Sequence, residues 1–218
     1  MNFNINNKQF LTEHPYVFID FDGVIKDSVE VKSNAFMRLF DPFGQDVALK
    51  VRNHHEENGG MSRYEKLPLY LRWAGEELSD NLVKEYSKRF SKLVKKNVID
   101  SEWVPGILDF FRNNVDKNTF LLVTATPQFE IEEILLSLNI RNFFKEVIGA
   151  PTKKTDAIQM LLEKHFITPE SSVMIGDSFS DYHAAKENGV LFLLRSTNLN
   201  KNFQHKCKDH MFIDFINE

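Results

Sequence analysis

Apolar residues in this chain are distributed in two ways. Short unbroken runs of strand length lie at 16–19, 119–123, 146–148 and 172–175, with further runs at 190–194 and 211–213. The second, third and fourth runs are each followed by a helical pattern, at 127–138, 155–165 and 179–188, the last closed by Gly189 as a C-cap. Thr126 followed by Pro127 reads as an N-cap and first helical position. Strands alternating with helices predict an α/β fold of Rossmann-like type, a parallel sheet with helices on both faces.

Between residues 28 and 101 the period is helical throughout. Val29, Ala35, Phe36, Leu39 and Phe40 form one stripe, Tyr64, Leu67, Leu71 and Ala74 a second, and Leu82, Tyr86, Phe90, Leu93 and Val94 a third. Gly59-Gly60 breaks a helix and Ser62-Arg63 starts another. This predicts an inserted all-helical cap, 28–101, over a core built from 1–27 and 102–218. The Phe pairs 110–111 and 143–144 read as core packing, whereas Trp73 and Trp103 suit either a hinge or a cleft wall.

Composition narrows the class. The 218 residues carry a net charge of −4, with 42% hydrophobic and 27% charged residues, as in ordinary soluble proteins. That balance gives no electrostatic footprint for nucleic acid or an anionic membrane. The single Cys207 can make no internal disulfide and no zinc site alone, which favours a reducing cytoplasm. Residues 1–10 are Asn-rich without an apolar signal core, and no apolar run is long enough to span a bilayer.

Candidate chemistry gathers at the strand ends. The first run stops at Asp20-Phe21-Asp22-Gly23, two carboxylates at the edge of a core, which are costly there unless a cation or donors meet them. Other runs lead to Thr124, to the pair Lys153–Lys154, and to Asp177. Right-handed crossovers place the ends of parallel strands along one edge, where open sheets bind ligands. Asp20, Asp22 and Asp177 supply the hard oxygen ligands that suit Mg²⁺. A lysine and a threonine hydroxyl beside them suit a phosphoryl group. Asp20 can then attack phosphorus, and Asp22 can protonate the leaving oxygen and later activate water.

Asp20-Phe21-Asp22-Gly23-Val24, Val123-Thr124, Lys154 and Gly176-Asp177-Ser178-Phe179-Ser180-Asp181 resemble, in order, the four motifs of the haloacid dehalogenase-like superfamily. The resemblance extends over most of the chain and includes the cap, as in phosphoglycolate phosphatase and β-phosphoglucomutase. It implies that Asp20 is the nucleophile and a metal ligand, and that Asp22 is the acid/base and gives its carbonyl to the metal. Thr124 and the Ala125 amide would hold the phosphoryl group, and Lys154 would orient Asp20. Asp177 would bind the metal directly and Asp181 through water or a hydrogen bond. Asp181 also suits a simple charge at a helix N-terminus.

The implied activity is Mg²⁺-dependent hydrolysis of a small phosphorylated metabolite through a phosphoaspartyl intermediate. The alternatives are a sugar phosphomutase of the β-phosphoglucomutase type and a non-catalytic binding module. In the cap, the Gly-rich turn before Arg63 and Lys66 presents these cations to an anionic substrate, or is a solvent-exposed turn. His54 and His55 read as a surface pair. Substrate identity and oligomeric state are not legible.

Overall fold

The computed structural model describes residues 4–6, 8–207 and 210–216. After a short helix α1 (Lys8–Glu13), the strand β1 (Tyr16–Ile19) is followed by four long helices: α2 (Val29–Phe40), α3 (Gln45–Glu57), α4 (Arg63–Trp73) and α5 (Asp80–Asp100). Then α6 (Ile107–Asn114) leads into alternating elements: β2 (Thr119–Pro127), α7 (Gln128–Ser137), β3 (Phe144–Ala150), α8 (Lys154–His165), β4 (Ser172–Gly176), α9 (Phe179–Glu187) and β5 (Leu191–Arg195). The described chain closes with α10 (Lys201–Gln204) and β6 (Met211–Phe212).

The six strands form one sheet of order β3-β2-β1-β4-β5-β6, parallel throughout, so the expected Rossmann-like architecture is the observed one. The order reverses at β1, the topological switch point where such sheets bind ligands. Residues pointing to the two faces of the sheet enter two separate cores. Val17 and Ile19 pack on one side with Phe110, Phe111 and Phe120, whereas Phe18 packs on the other with Ile158, Leu161 and Met174. Alternation of side chains along a strand buried on both faces requires this division.

Most of the helical cap follows from its stripes. Phe36, Leu39 and Phe40 of α2 meet Tyr86 and Phe90 of α5, with the Phe36 and Phe90 rings stacked at 3.9 Å. Helix α4 departs from its predicted stripe. Tyr64 is 41% exposed, while Arg63 and Lys66 turn inward beside Leu67, Tyr70 and Leu71. The inner face of α4 is therefore partly charged, which is why apolar spacing alone misjudged it.

The reading of 126–127 also needs correction. Strand β2 continues through Thr126 to Pro127, and the helix starts at Gln128. Thr126 is no N-cap, because its hydroxyl donates to the Asp22 carboxylate at 3.2 Å. The two chain segments joining cap and core run side by side: the Asp27 amide donates to the Glu102 carbonyl, and the Val104 amide to the Ile25 carbonyl. Lys26 lies 4.2 Å above the Trp103 ring between them, so Trp103 belongs to this hinge and Trp73 to the cap. No helix among the described residues is long and apolar enough to cross a membrane.

Candidate active site

Strand register brings the predicted groups together. Ile19 sits opposite Leu122 of β2 and Ile175 of β4, so the residues that follow on all three strands emerge at one edge. The Asp20 amide donates to the Ile175 carbonyl at 3.0 Å, which extends the β1–β4 ladder to the site itself. Asp20 is thus rigidly held and only 4% exposed. One carboxylate oxygen accepts from the Phe21 amide at 2.7 Å and the other from Lys154 Nζ at 2.6 Å.

Lys154 opens α8 and is the lysine of the pair that turns inward; Lys153 occupies the N-cap position. Lys154 Nζ also donates to Asp181 Oδ1 at 2.6 Å, bridging two carboxylates. Burial disfavours its charge, but the carboxylates of Asp181 and Asp20 outweigh that and raise its pKa. Asp181 does two things at once: its other oxygen accepts from the Ser178 amide and hydroxyl in a capping box that starts α9.

Asp177 completes the group. Ligand oxygens of Asp20, Asp177 and Asp181 lie within 4.8 Å of one another. Glycine at position 23 is what lets Asp177 approach: its φ is +73°, and an added Cβ would stand 2.0 Å from Asp177 Oδ2. Burial, then the crowding of Asp181 and Asp20, pushes the Asp177 carboxyl well above its usual range. Asp20 is lifted to about 7, chiefly by burial, which Lys154 opposes and Asp181 and Asp22 reinforce. Three carboxylates sharing one lysine are short of positive charge. The donor set fits a hard divalent cation, which takes carboxylate oxygens and would remove this repulsion.

Asp22 behaves differently. It accepts from Lys32 on α2, from the Ser28 hydroxyl at 2.6 Å and from Thr126. Burial alone would raise its pKa, but Lys32 and these hydrogen bonds carry it below the ordinary value. Lys32 also donates to Thr126 Oγ1 at 2.8 Å. Sequence pattern does not mark Lys32, Ser28 or Thr126 as partners of Asp22. Position 32 lies on the α2 face next to the first strand's end, but nothing local distinguishes it from other cap lysines.

Thr124 is 1% exposed, and Ala125 beside it borders a cavity of about 480 Å³ between the sheet edge and the cap. Asp20, Asp22, Asp177, Arg63 and Lys66 also line that cavity. Gly59 and Gly60 reach down to it, and Ser180 Oγ lies 3.5 Å from the Gly60 carbonyl. Arg63 faces the cavity wall, yet Glu130 of α7 grips its guanidinium through both carboxylate oxygens at 2.5 and 2.9 Å, with Ser91 as a third partner. The pair His54–His55 is not a surface pair. His55 is buried and meets Lys66 Nζ at 2.9 Å, and His54 bonds the Tyr70 hydroxyl at 3.0 Å. One face of the last turns of α3 thus packs on α4, while Asn53 and Glu57 stay exposed.

The pattern of haloacid dehalogenase-like hydrolases matches residues 17–194, and the chain belongs to that family of enzymes. Among its relatives, the phosphorylated carbohydrates phosphatase of Thermotoga maritima is 29% identical over 80% of this chain and 81% of its own length. The phosphoglycolate phosphatase of Pseudomonas putida is 27% identical over 80% of this chain and 66% of its own. The fold is shared with β-phosphoglucomutase from Clostridium difficile (TM-score 0.74, 17% identity, 92% of this chain and 91% of that one). It is also shared with CbbY from Rhodobacter sphaeroides, a structure in complex with phosphate (TM-score 0.72, 16% identity, 92% and 94%).

Proposed function

We propose that this phosphatase of the haloacid dehalogenase-like family hydrolyses a small phosphorylated metabolite with Mg²⁺, through a phosphoaspartyl intermediate on Asp20. The observation that carries the reading is the Asp20–Lys154–Asp181 bridge beside Asp177 at the switch point of the sheet. The unit that covers this edge is taken as residues 28–101, between core segments 1–27 and 102–218.

In this reading Asp20 and Asp177, with the Asp22 backbone carbonyl, would hold the metal directly, and Asp181 would act on it through water or a hydrogen bond. Bound there, Mg²⁺ supplies charge neutralisation for the carboxylates and the phosphoryl oxygens. The Phe21 amide and Lys154 fix the Asp20 carboxylate for attack. A bond forms between an Asp20 oxygen and phosphorus while the ester P–O bond breaks; Asp22, ionised in the free site, takes the proton of a monoanionic phosphomonoester as it binds and passes it to the departing oxygen. Asp22 then takes a proton from water, which attacks phosphorus and frees Asp20. Thr124 and the Ala125 amide hold the phosphoryl oxygens meanwhile, and Arg63 and Lys66 face the remainder of the substrate.

Phosphate release from a panel of phosphorylated metabolites tests this. It should require Mg²⁺, stop with EDTA, and fall at least about 10⁴-fold in Asp20→Asn, the scale on which loss of a covalent nucleophile acts. Retained hydrolysis in Asp20→Asn sinks the proposal. Isomerisation of a sugar phosphate without phosphate release would instead indicate a mutase.

A further inference from the structure

Three basic residues line the cavity between sheet edge and cap: Lys32, Arg63 and Lys66. Lys32 pairs with Asp22 and Arg63 with Glu130. Lys66 has no such partner. It is 1% exposed, and among the described residues no carboxylate lies within ion-pairing distance of its ammonium. Its hydrogen bond goes to His55 Nδ1 at 2.9 Å. Burial, then Lys66 and Lys32 beside it, hold His55 well below its usual pKa, so the ring is neutral and Nδ1 accepts.

A buried cation without a counter-charge is expensive, and a protein core ordinarily avoids it. Burial and the neighbouring Lys32 bring Lys66 down to about 7, the mark of a site short of negative charge. At the sheet edge of the same cavity the balance is reversed, with an excess of carboxylates. The cap side also carries Glu56, which pairs with Arg52, and the exposed Glu57, so the uncompensated positive charge there is local to Lys66; an anion suits that position, opposite a cation and phosphoryl group at the sheet edge.

We infer that Lys66, backed by His55, is the subsite for a second anionic group, carboxylate or phosphate, on the part of the substrate that leaves. The inference rests on the phosphatase reading and narrows its substrate class to phosphomonoesters with a second anionic oxygen group. Arg63, on the same helix, is excluded from the leading role because Glu130 already neutralises it. Lys66 is a specificity residue here, and the chemical step itself belongs to the sheet edge.

Non-hydrolysable probes separate recognition from turnover. Calorimetry in Mg²⁺ would compare 2-carboxyethylphosphonate, ethylenediphosphonate and propylphosphonate. The wild type should bind at least one of the first two about 10- to 100-fold tighter than propylphosphonate, the worth of a charge-assisted hydrogen bond. The larger ratio tells whether carboxylate or phosphate is the preferred group. In Lys66→Met the ratio should fall towards one, with Lys66→Gln as a second variant should the first not fold. A wild-type ratio near one, or a ratio that survives in both variants, overturns the inference. If p-nitrophenyl phosphate is still hydrolysed in Mg²⁺, that failure belongs to the subsite alone. No binding of any probe, with no hydrolysis, takes the phosphatase reading down with it.

Discussion

Lys66 and Gly23 show how single positions carry the site. On folding, Lys66 moves from an ordinary pKa of 10.5 to about 7, so between these values the unfolded chain binds the extra proton. Stability then rises with pH across that window, and the full cost of the buried charge is present below about 7. The groups facing it are His55 on α3, Lys32 on α2, Glu65 on its own helix, and Asp22 and Lys154 across the cavity. Lys66→Met should therefore stabilise the protein more at pH 6 than at pH 10, read from urea midpoints; an equal gain at both would show that burial of the charge is not the cause. Gly23→Ala meets both a left-handed φ and the Asp177 carboxylate. It should weaken Mg²⁺ binding about 10- to 100-fold by calorimetry, as displaced supports of a metal ligand do.

At the scale of elements, packing of α2 against α5 and α4 sets the shape of the cap. Phe40 is fully buried, with Tyr70 edge-on at 5.7 Å and the Tyr86 ring at 5.6 Å. It does not line the cavity, so truncation reports on packing alone. Phe40→Ala should cost about 3–5 kcal/mol in urea unfolding, the range for emptying a buried aromatic site. A cost below about 1 kcal/mol would mean that the helices close up over the gap. On the sheet, the elements work through register. With Ile19 level with Leu122 and Ile175, the loops after β1, β2 and β4 converge without any long-range side-chain contact being needed first.

For the molecule as a whole, the question is what holds the cap on the core. The buried Arg63–Glu130 pair joins α4 to α7, with Ser91 of α5 donating to the same carboxylate at 2.6 Å. Lys95 and Glu133 make a more exposed bridge at 2.8 Å, which is worth little. Arg63→Ala leaves Glu130 buried without its partner and should cost about 3–5 kcal/mol in denaturant unfolding. Replacing both, with Arg63→Met and Glu130→Leu, should recover most of that loss. If the double variant is no better than the single, the pair acts through more than charge burial.

Local pattern was enough for the sheet, the inserted helices and the gathering of Asp20, Asp22, Thr124, one lysine of the pair 153–154 and Asp177 at one edge. Apolar periods mark strands and helices within a few residues, and the handedness of crossovers then leaves little freedom for where strand ends point. Tertiary structure decided the rest. Which lysine of 153–154 turns inward depends on the start of α8, and Thr126 bonds Asp22 from 104 positions away. Arg63 meets Glu130 across 67 positions, leaving Lys66 as the cavity cation whose hydrogen-bond partner among the described residues is His55. The inward face of α4 and the burial of His55 escaped the pattern for one reason. A charge packed against a distant partner, or against a cavity, looks in sequence like a charge bound for solvent, and only the folded chain distinguishes them.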